Sequence, residues 1–253
     1  VILATGSVIV LGHNLLDFYE AGLKSSPGWW YDLIHRPGFY PLGGGRSLLI
    51  LYPFLSWAGL MMLGYCFGKL FLKYDGEKRR RMLLWLGLGI LAFFVVARFI
   101  NEYGDAARWS TQKDSVFTFL SFMNLTKYPP SLLYMCATVG IGILFLALFA
   151  NVRNGLTRFI TIYGRVPFLY YILHFFLIHL VSSIFYLLRG HSIKEGLRSD
   201  QGGFLPKFAA VNEGYSLFWV YIIWIGVVLS LYPVCRWFSN YKQKHKDWWL
   251  SYL

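Results

Sequence analysis

The run SLLILYPFLSWAGLMMLGYCFGKLFL, from Ser47 to Leu72, holds 26 residues and a single charged side chain, Lys69. A helix rises about 1.5 Å per residue and the hydrocarbon layer of a bilayer is about 30 Å thick, so roughly 20 mainly apolar residues suffice to cross it. Working outward from this stretch, comparable runs occupy Met82 to Ile100, Pro129 to Ala150, Phe168 to Leu188 and Ser216 to Phe238, and a shorter one opens the chain at Val1 to Leu16. The sequence therefore predicts an all-α fold, a polytopic transmembrane helical bundle with about six spans at 1–16, 47–72, 82–100, 129–150, 168–188 and 216–238, in one transmembrane domain over 1–253. Val1 already lies within an apolar run, so the chain reads as the carboxyl-terminal portion of a longer protein.

Composition agrees. Apolar residues make up 57% and charged residues 14%, against about 25% charged in an ordinary soluble domain. An open sheet facing lipid is excluded, because its edge groups would find no partners in hydrocarbon. The three cysteines, Cys66, Cys136 and Cys235, lie apart in apolar runs and read as small buried hydrophobes.

Alternate connections between the runs carry different charge. One side holds twelve Lys and Arg against three acids, clustered at 73–81, 153–165 and 236–247. The other holds ten against nine, in long loops at 17–46, 101–128 and 189–215. Lys and Arg concentrate in cytoplasmic loops, so the first side is expected in the cytoplasm with the carboxyl terminus, as in a bacterial cytoplasmic membrane. This asymmetry accounts for the net charge of +12 without nucleic acid. The partners it implies are membrane lipids with anionic headgroups. The long loops are dense in Trp, Tyr, Phe, Gly and Pro, and structured aromatic loops on one face suggest a site there.

Polar residues inside or at the mouth of a span are costly, which singles out three groups. His174 and His179 share one span. Five residues of helix turn about 500°, so their rings diverge and do not chelate one metal. His174 has Tyr170 and Tyr171 nearby at helical spacing; it is either a base or a neutral ring bonded to a neighbouring helix. Arg98, Asn101, Glu102 and Asp105 form a stripe at i, i+4 spacing, either a wall for a polar substrate or a self-neutralised helix end. Asn124-Leu-Thr-Lys127-Tyr128-Pro129-Pro130-Ser131 precedes a helix start, where anions are favoured; it holds a developing negative charge or simply initiates a helix. Gly43-Gly44-Gly45 lacks the GK[ST] context of a phosphate loop. No metal motif is present.

Several blocks carry a resemblance: Gly12-His13-Asn14-Leu15-Leu16-Asp17, Tyr52-Pro53 through Gly68, Arg98 to Asp105, Leu120 to Ser131, Gly164-Arg165-Val166-Pro167-Phe168 through His179, and Trp248 to Leu253. In this order they resemble the bacterial membrane proteins related to the catalytic domain of heparan-alpha-glucosaminide N-acetyltransferase. The resemblance implies a transmembrane acyltransferase that takes an acetyl group from cytosolic acetyl-CoA, its co-substrate, and passes it to a sugar or other acceptor across the membrane. The family's central histidine belongs to an amino-terminal segment not found here, and His13 sits in a different block that does not inherit the role. Acyl transfer needs a base, oxyanion donors and a site closed to water. His174, Tyr171, Asn124 and Lys127 are the expected catalytic residues; Arg98, Asn101, Asp105 and His179 are expected at the acceptor, and Arg165 at acetyl-CoA. Two rival readings are a transporter or flippase of a polar or lipid-linked substrate, and a non-catalytic membrane partner.

Overall fold

The computed structural model describes residues 1–44, 46–197, 208 and 213–251. Gly45, Tyr252 and Leu253, and Arg198, Asp200 and Lys207 of the charge tally, lie outside the described residues. Among those described, six helical stretches are long and apolar enough to cross a membrane: Ile2–Ala21, Phe54–Lys73, Gly76–Ile100, Leu132–Phe149, Pro167–Leu188 and Leu217–Lys244. The chain is an all-α polytopic integral membrane protein, and it divides into two compact units, Val1–Asn151 and Val152–Leu253.

The first unit contains α1 (Ile2–Gly12), α2 (Leu15–Ala21), α3 (Trp29–Ile34), β1 (Gly38–Gly43), β2 (Arg46–Ile50), α4 (Phe54–Lys73), α5 (Gly76–Ile100), α6 (Ser115–Met123) and α7 (Leu132–Phe149). The first span is thus two helices with a break at His13 and Asn14. The expected span at 47–72 begins later, at Phe54. Pro53 has no N–H and disfavours helix in the residue before it, and Leu48, Leu49 and Ile50 instead pair with β1 in an antiparallel hairpin. Gly43 and Gly44 turn that hairpin at positive φ, which glycine adopts without steric cost. The basic cluster Lys78 to Arg81 is helical, in the first turns of α5, and not in a loop. Pro129 and Pro130 likewise stay outside α7, which starts at Leu132 with the Ser131 hydroxyl accepting from the Tyr134 amide at 3.0 Å.

Two close crossings hold this unit together. On α5 and α7, a Cβ added at Gly87 would stand 2.7 Å from Leu144 Cδ2, and one at Gly140 would stand 2.8 Å from Leu91 Cδ2. On α1 and α4, a Cβ at Gly59 would stand 2.6 Å from Ile9 Cγ2. In lipid there is no hydrophobic drive between helices, so backbones that approach closely gain stability from packing. We expect Gly87→Ala to destabilise the detergent-solubilised protein by about 1–3 kcal/mol through overpacking. Gly64→Ala, on the same kind of span but with open space around its Cβ, is expected to be neutral or slightly stabilising. Thermal unfolding of the two variants checks this, and equal melting temperatures would contradict it.

The second unit contains α8 (Gly155–Arg165), α9 (Pro167–Leu188), α10 (Ile193–Gly196) and α11 (Leu217–Lys244), followed by a 3-10 turn at Trp248–Ser251. A reciprocal cap between Asn154 and Thr157 starts α8. Val166, Val227, Leu231, Cys235, Phe238 and Leu250 form its core. Pro233 interrupts the ladder of α11, and nearby the Tyr163 hydroxyl donates to the Val228 carbonyl at 2.7 Å. Burial pushes the Tyr163 hydroxyl up to about 12.

Candidate functional site

The polar residues of the first unit converge at the break between α1 and α2. His13 and Asn14 sit there, each 3% exposed. His13 Nδ1 lies 3.2 Å from His35 Nε2, and His35, fully buried at the end of α3, places its Nδ1 2.7 Å from Glu20 Oε1. The Tyr31 hydroxyl donates to the same carboxylate oxygen at 2.9 Å. An ionised carboxylate only accepts, so the network assigns the proton of neutral His35 to Nδ1. His35 Nε2 then accepts from His13 Nδ1–H. The far nitrogen, His13 Nε2, is left with a lone pair, and it is buried with no hydrogen-bond partner among the described residues. Three side chains, Glu20, His35 and His13, thus form a carboxylate–imidazole–imidazole chain that ends in an uncommitted base.

Asn14 ties this chain to α7. Its amide nitrogen donates to Asp17 Oδ2 at 2.6 Å, and its oxygen accepts from the Leu132 backbone at 2.8 Å. Beside it, Asp105 gathers the loop before α7. It accepts from the Ser131 hydroxyl at 2.6 Å, from the Thr126 hydroxyl at 2.7 Å and backbone at 2.9 Å, and from the Ala107 backbone at 2.8 Å. Beside Asn14, Thr126 and Ser131 lies a polar cavity of about 220 Å³. Asn14, Asp17, Glu20, Arg36, Thr126 and Ser131 are among the residues that line it.

Arg98 is 1% exposed and is part of the scaffold. It donates to the carbonyls of Phe122 at 2.8 Å, Ala107 at 2.9 Å, Asn124 at 3.0 Å and Ser121 at 3.2 Å. It does not pair with Glu102, which meets Arg108 at 2.8 Å on the surface. Asn101 ends α5 in the left-handed region, and its side-chain amide exchanges hydrogen bonds with the Trp109 backbone at 2.9 and 3.1 Å. The Asn124 side chain and Lys127 are exposed, with Lys127 Nζ 5.1 Å from the Tyr128 ring centroid. The Tyr128 hydroxyl holds the Lys127 ammonium above its ordinary range. Contact with Tyr52 and then Lys127 brings the Tyr128 hydroxyl below its own.

The other expected residues lie in the second unit. His174 Nδ1 back-bonds to the Tyr170 carbonyl at 3.1 Å, and its ring stacks on Tyr170 at 5.2 Å. His179 does the same with the Phe175 carbonyl at 2.8 Å. Tyr171 is 58% exposed. Arg165 is exposed at the end of α8, and its carbonyl accepts from Lys242 at 3.5 Å.

Of the expected residues, the structure bonds Asp105 to Thr126 and Ser131, which line the polar cavity, and uses Arg98 and Asn101 to shape the adjoining loop. His13, His35, Glu20 and Asp17 were missed as a site. The signal in the sequence was the block Gly12 to Asp17, which puts His, Asn and Asp at the end of an apolar run. One atom each from Asp17, Glu20 and His35 lie within 4.8 Å of one another. That spacing could hold a cation, but Glu20 is already bonded to His35 and Tyr31, and Asp17 to Asn14. No protein-family model matches the chain, and no curated protein or solved structure shows significant similarity to it.

Proposed function

We propose that the chain is an integral membrane acyltransferase that moves an acetyl group from cytosolic acetyl-CoA to a hydroxyl or amine of a sugar-like acceptor, with His13 as the base. The observation that supports this reading most is the uncommitted, buried Nε2 of His13 at the end of the chain from Glu20. A base of this kind takes the proton from the attacking oxygen or nitrogen as that atom bonds to the thioester carbon. The tetrahedral oxyanion then collapses, the carbon–sulfur bond breaks, and the departing thiolate takes up a proton. His35 and Glu20 orient the ring and disperse the positive charge that His13 gains. Asp17, Asn14 and Ser131 offer the acceptor hydrogen bonds. His174, with its own Nε2 free of the back-bond, is the alternative base.

Incubating the protein in liposomes with labelled acetyl-CoA and a panel of mono- and disaccharides and their alkyl glycosides tests this. Label in the sugar fraction is expected, unaffected by a chelator because the bonds of Glu20 and His35 are satisfied without metal. Absence of transfer to every acceptor would overturn it. The same Glu20–His35–His13 chain favours a second reading, proton-coupled transport, which would show proton uptake with sugar flux and no acetylated product.

The charge asymmetry supports an orientation with the carboxyl terminus in the cytoplasm of a bacterial cell. In a background without native cysteines, Glu77→Cys and Gln243→Cys are expected to react with an impermeant maleimide only after the membrane is opened. Ser110→Cys is expected to react in intact cells. Labelling of Glu77→Cys and Ser110→Cys from the same side would reject this topology.

A further inference from the structure

A second cavity, of about 410 Å³, lies in the same unit among α1, α4, α5 and α7. Val10, Leu60, Leu63, Phe93, Met135 and Val139 line it together with other apolar side chains, and Ser7 carries its one side-chain hydroxyl. Four membrane-spanning helices supply its walls, so what it holds lies at the depth of lipid chains. Its lining and that of the polar cavity come together at the start of α7. Leu132 lines the apolar cavity and Ser131, the preceding residue, lines the polar one. The Leu132 amide donates to Asn14 Oδ1, and Asn14 also lines the polar side. On the facing helix, Val10 and Leu11 line the apolar cavity four and three residues before Asn14, about one helical turn.

A polar compartment large enough for a single ring therefore neighbours a larger apolar one, with Asn14 and Leu132 between them. This is the shape of an amphiphile. We propose that the acceptor is lipid-linked: its polar ring sits in the cavity of Asp17, Glu20 and Ser131, and its hydrocarbon tail in the apolar cavity beside Gly89. The proposal rests on the reading of the polar cavity as the acceptor's place, and it changes the acceptor from a free sugar to a glycolipid. The membrane setting gives the tail its route, since a lipid reaches such a cavity sideways from the bilayer without its tail entering water.

Binding tests this without turnover. The protein in lipid nanodiscs is titrated with labelled methyl, hexyl and decyl β-D-glucopyranoside, and partitioning into empty nanodiscs is subtracted. Decyl glucoside is expected to bind about tenfold or more tightly than methyl glucoside, from burial of a few methylenes. Gly89 lines the apolar cavity and a Cβ there meets nothing within 4 Å, so Gly89→Phe fills the space. It is expected to remove most of the decyl advantage and leave methyl glucoside affinity unchanged. Ser7→Phe, from α1, is a second plug should the first unfold, with melting temperature as the control. Equal affinities for all three glucosides in the wild type, or no saturable binding of any, would overturn the proposal. So would a decyl advantage that survives in a folded plug variant, the result if the tail sits in bulk lipid or another helix fills the cavity. Failure of the acyl-transfer reading is distinct: chain-length-dependent binding would persist while acetyl-CoA is not consumed.

Discussion

His13→Ala is expected to lower kcat for acetyl transfer by about 10²–10⁴-fold, the range for loss of a general base, while the protein stays folded. The Nε2 atom that would act makes no hydrogen bond among the described residues, so the polar contact that folding loses is that of Nδ1 with His35 at 3.2 Å, along with the packing of one buried ring. Single polar contacts between membrane helices are worth about 0.6–2 kcal/mol. His35→Gln should be nearly as harmful to rate, because the ring that fixes the His13 tautomer is gone. Glu20→Gln should do less, since an amide oxygen still accepts from His35 Nδ1–H, but it should move the pH–rate profile because the stabilising negative charge is removed. A residue needed only for packing would leave that profile in place. His174→Ala in the same assay separates the two candidate bases. Its described polar contact is a back-bond within α9, and no carboxylate among the described residues is hydrogen-bonded to it, so the expected loss is small. A normal rate for His13→Ala with a 10²-fold or greater loss for His174→Ala would, on the same scale for a lost base, transfer the catalytic role to the second unit.

The largest effect on stability is expected from Arg98→Met. Arg98 is almost wholly buried and satisfies four backbone carbonyls of the segment between α5 and α7. Methionine fills much of the volume but donates nothing, and four carbonyls would lose their partner at once. Removing one side of a buried charged network costs about 3–5 kcal/mol, and at roughly 2–4 °C per kcal/mol for a chain of this size the melting temperature should fall by about 10 °C. Arg98→Lys should recover little of this, because an ammonium with three donors does not reproduce the planar fork. Differential scanning fluorimetry in detergent measures both. If Arg98→Met instead kept its stability and lost only acceptor affinity, Arg98 would be a binding residue, as its place at the mouth of a span first suggested.

The spans were legible because apolar length is a direct statement about the bilayer, and each of the five long runs became a helix close to its expected place. The errors came where local backbone chemistry overrode hydropathy. Leu48 to Ile50 are apolar enough for a span, yet Pro53 bars the helix from reaching them and they fold back as a strand. Site residues were legible only in part. Arg98, Asn101 and Asp105 stood out as polar groups at a span end, but what each one bonds to depends on loops that carry no periodicity. His35 and Glu20 could not be joined to His13 from the sequence, because they meet across a turn of irregular chain with α3 inside it. His174 drew attention for its depth in an apolar run, yet depth alone does not distinguish a base from a ring that bonds to its own helix.

The pairing of helices in the first unit also sets an order of assembly during synthesis. α1 packs with α4, and α5 with α7, so each pair is complete only when its second member leaves the ribosome. The bond from Leu132 to Asn14 joins residues 118 positions apart. It is the first amide of the last helix of the unit that closes the polar pocket. Until α7 is made, Asn14 Oδ1 lacks that partner. A nascent chain that stops short of Leu132 therefore presents an unpaired Asn14 oxygen at the membrane, a mark by which quality-control machinery can tell an unfinished copy from a finished one.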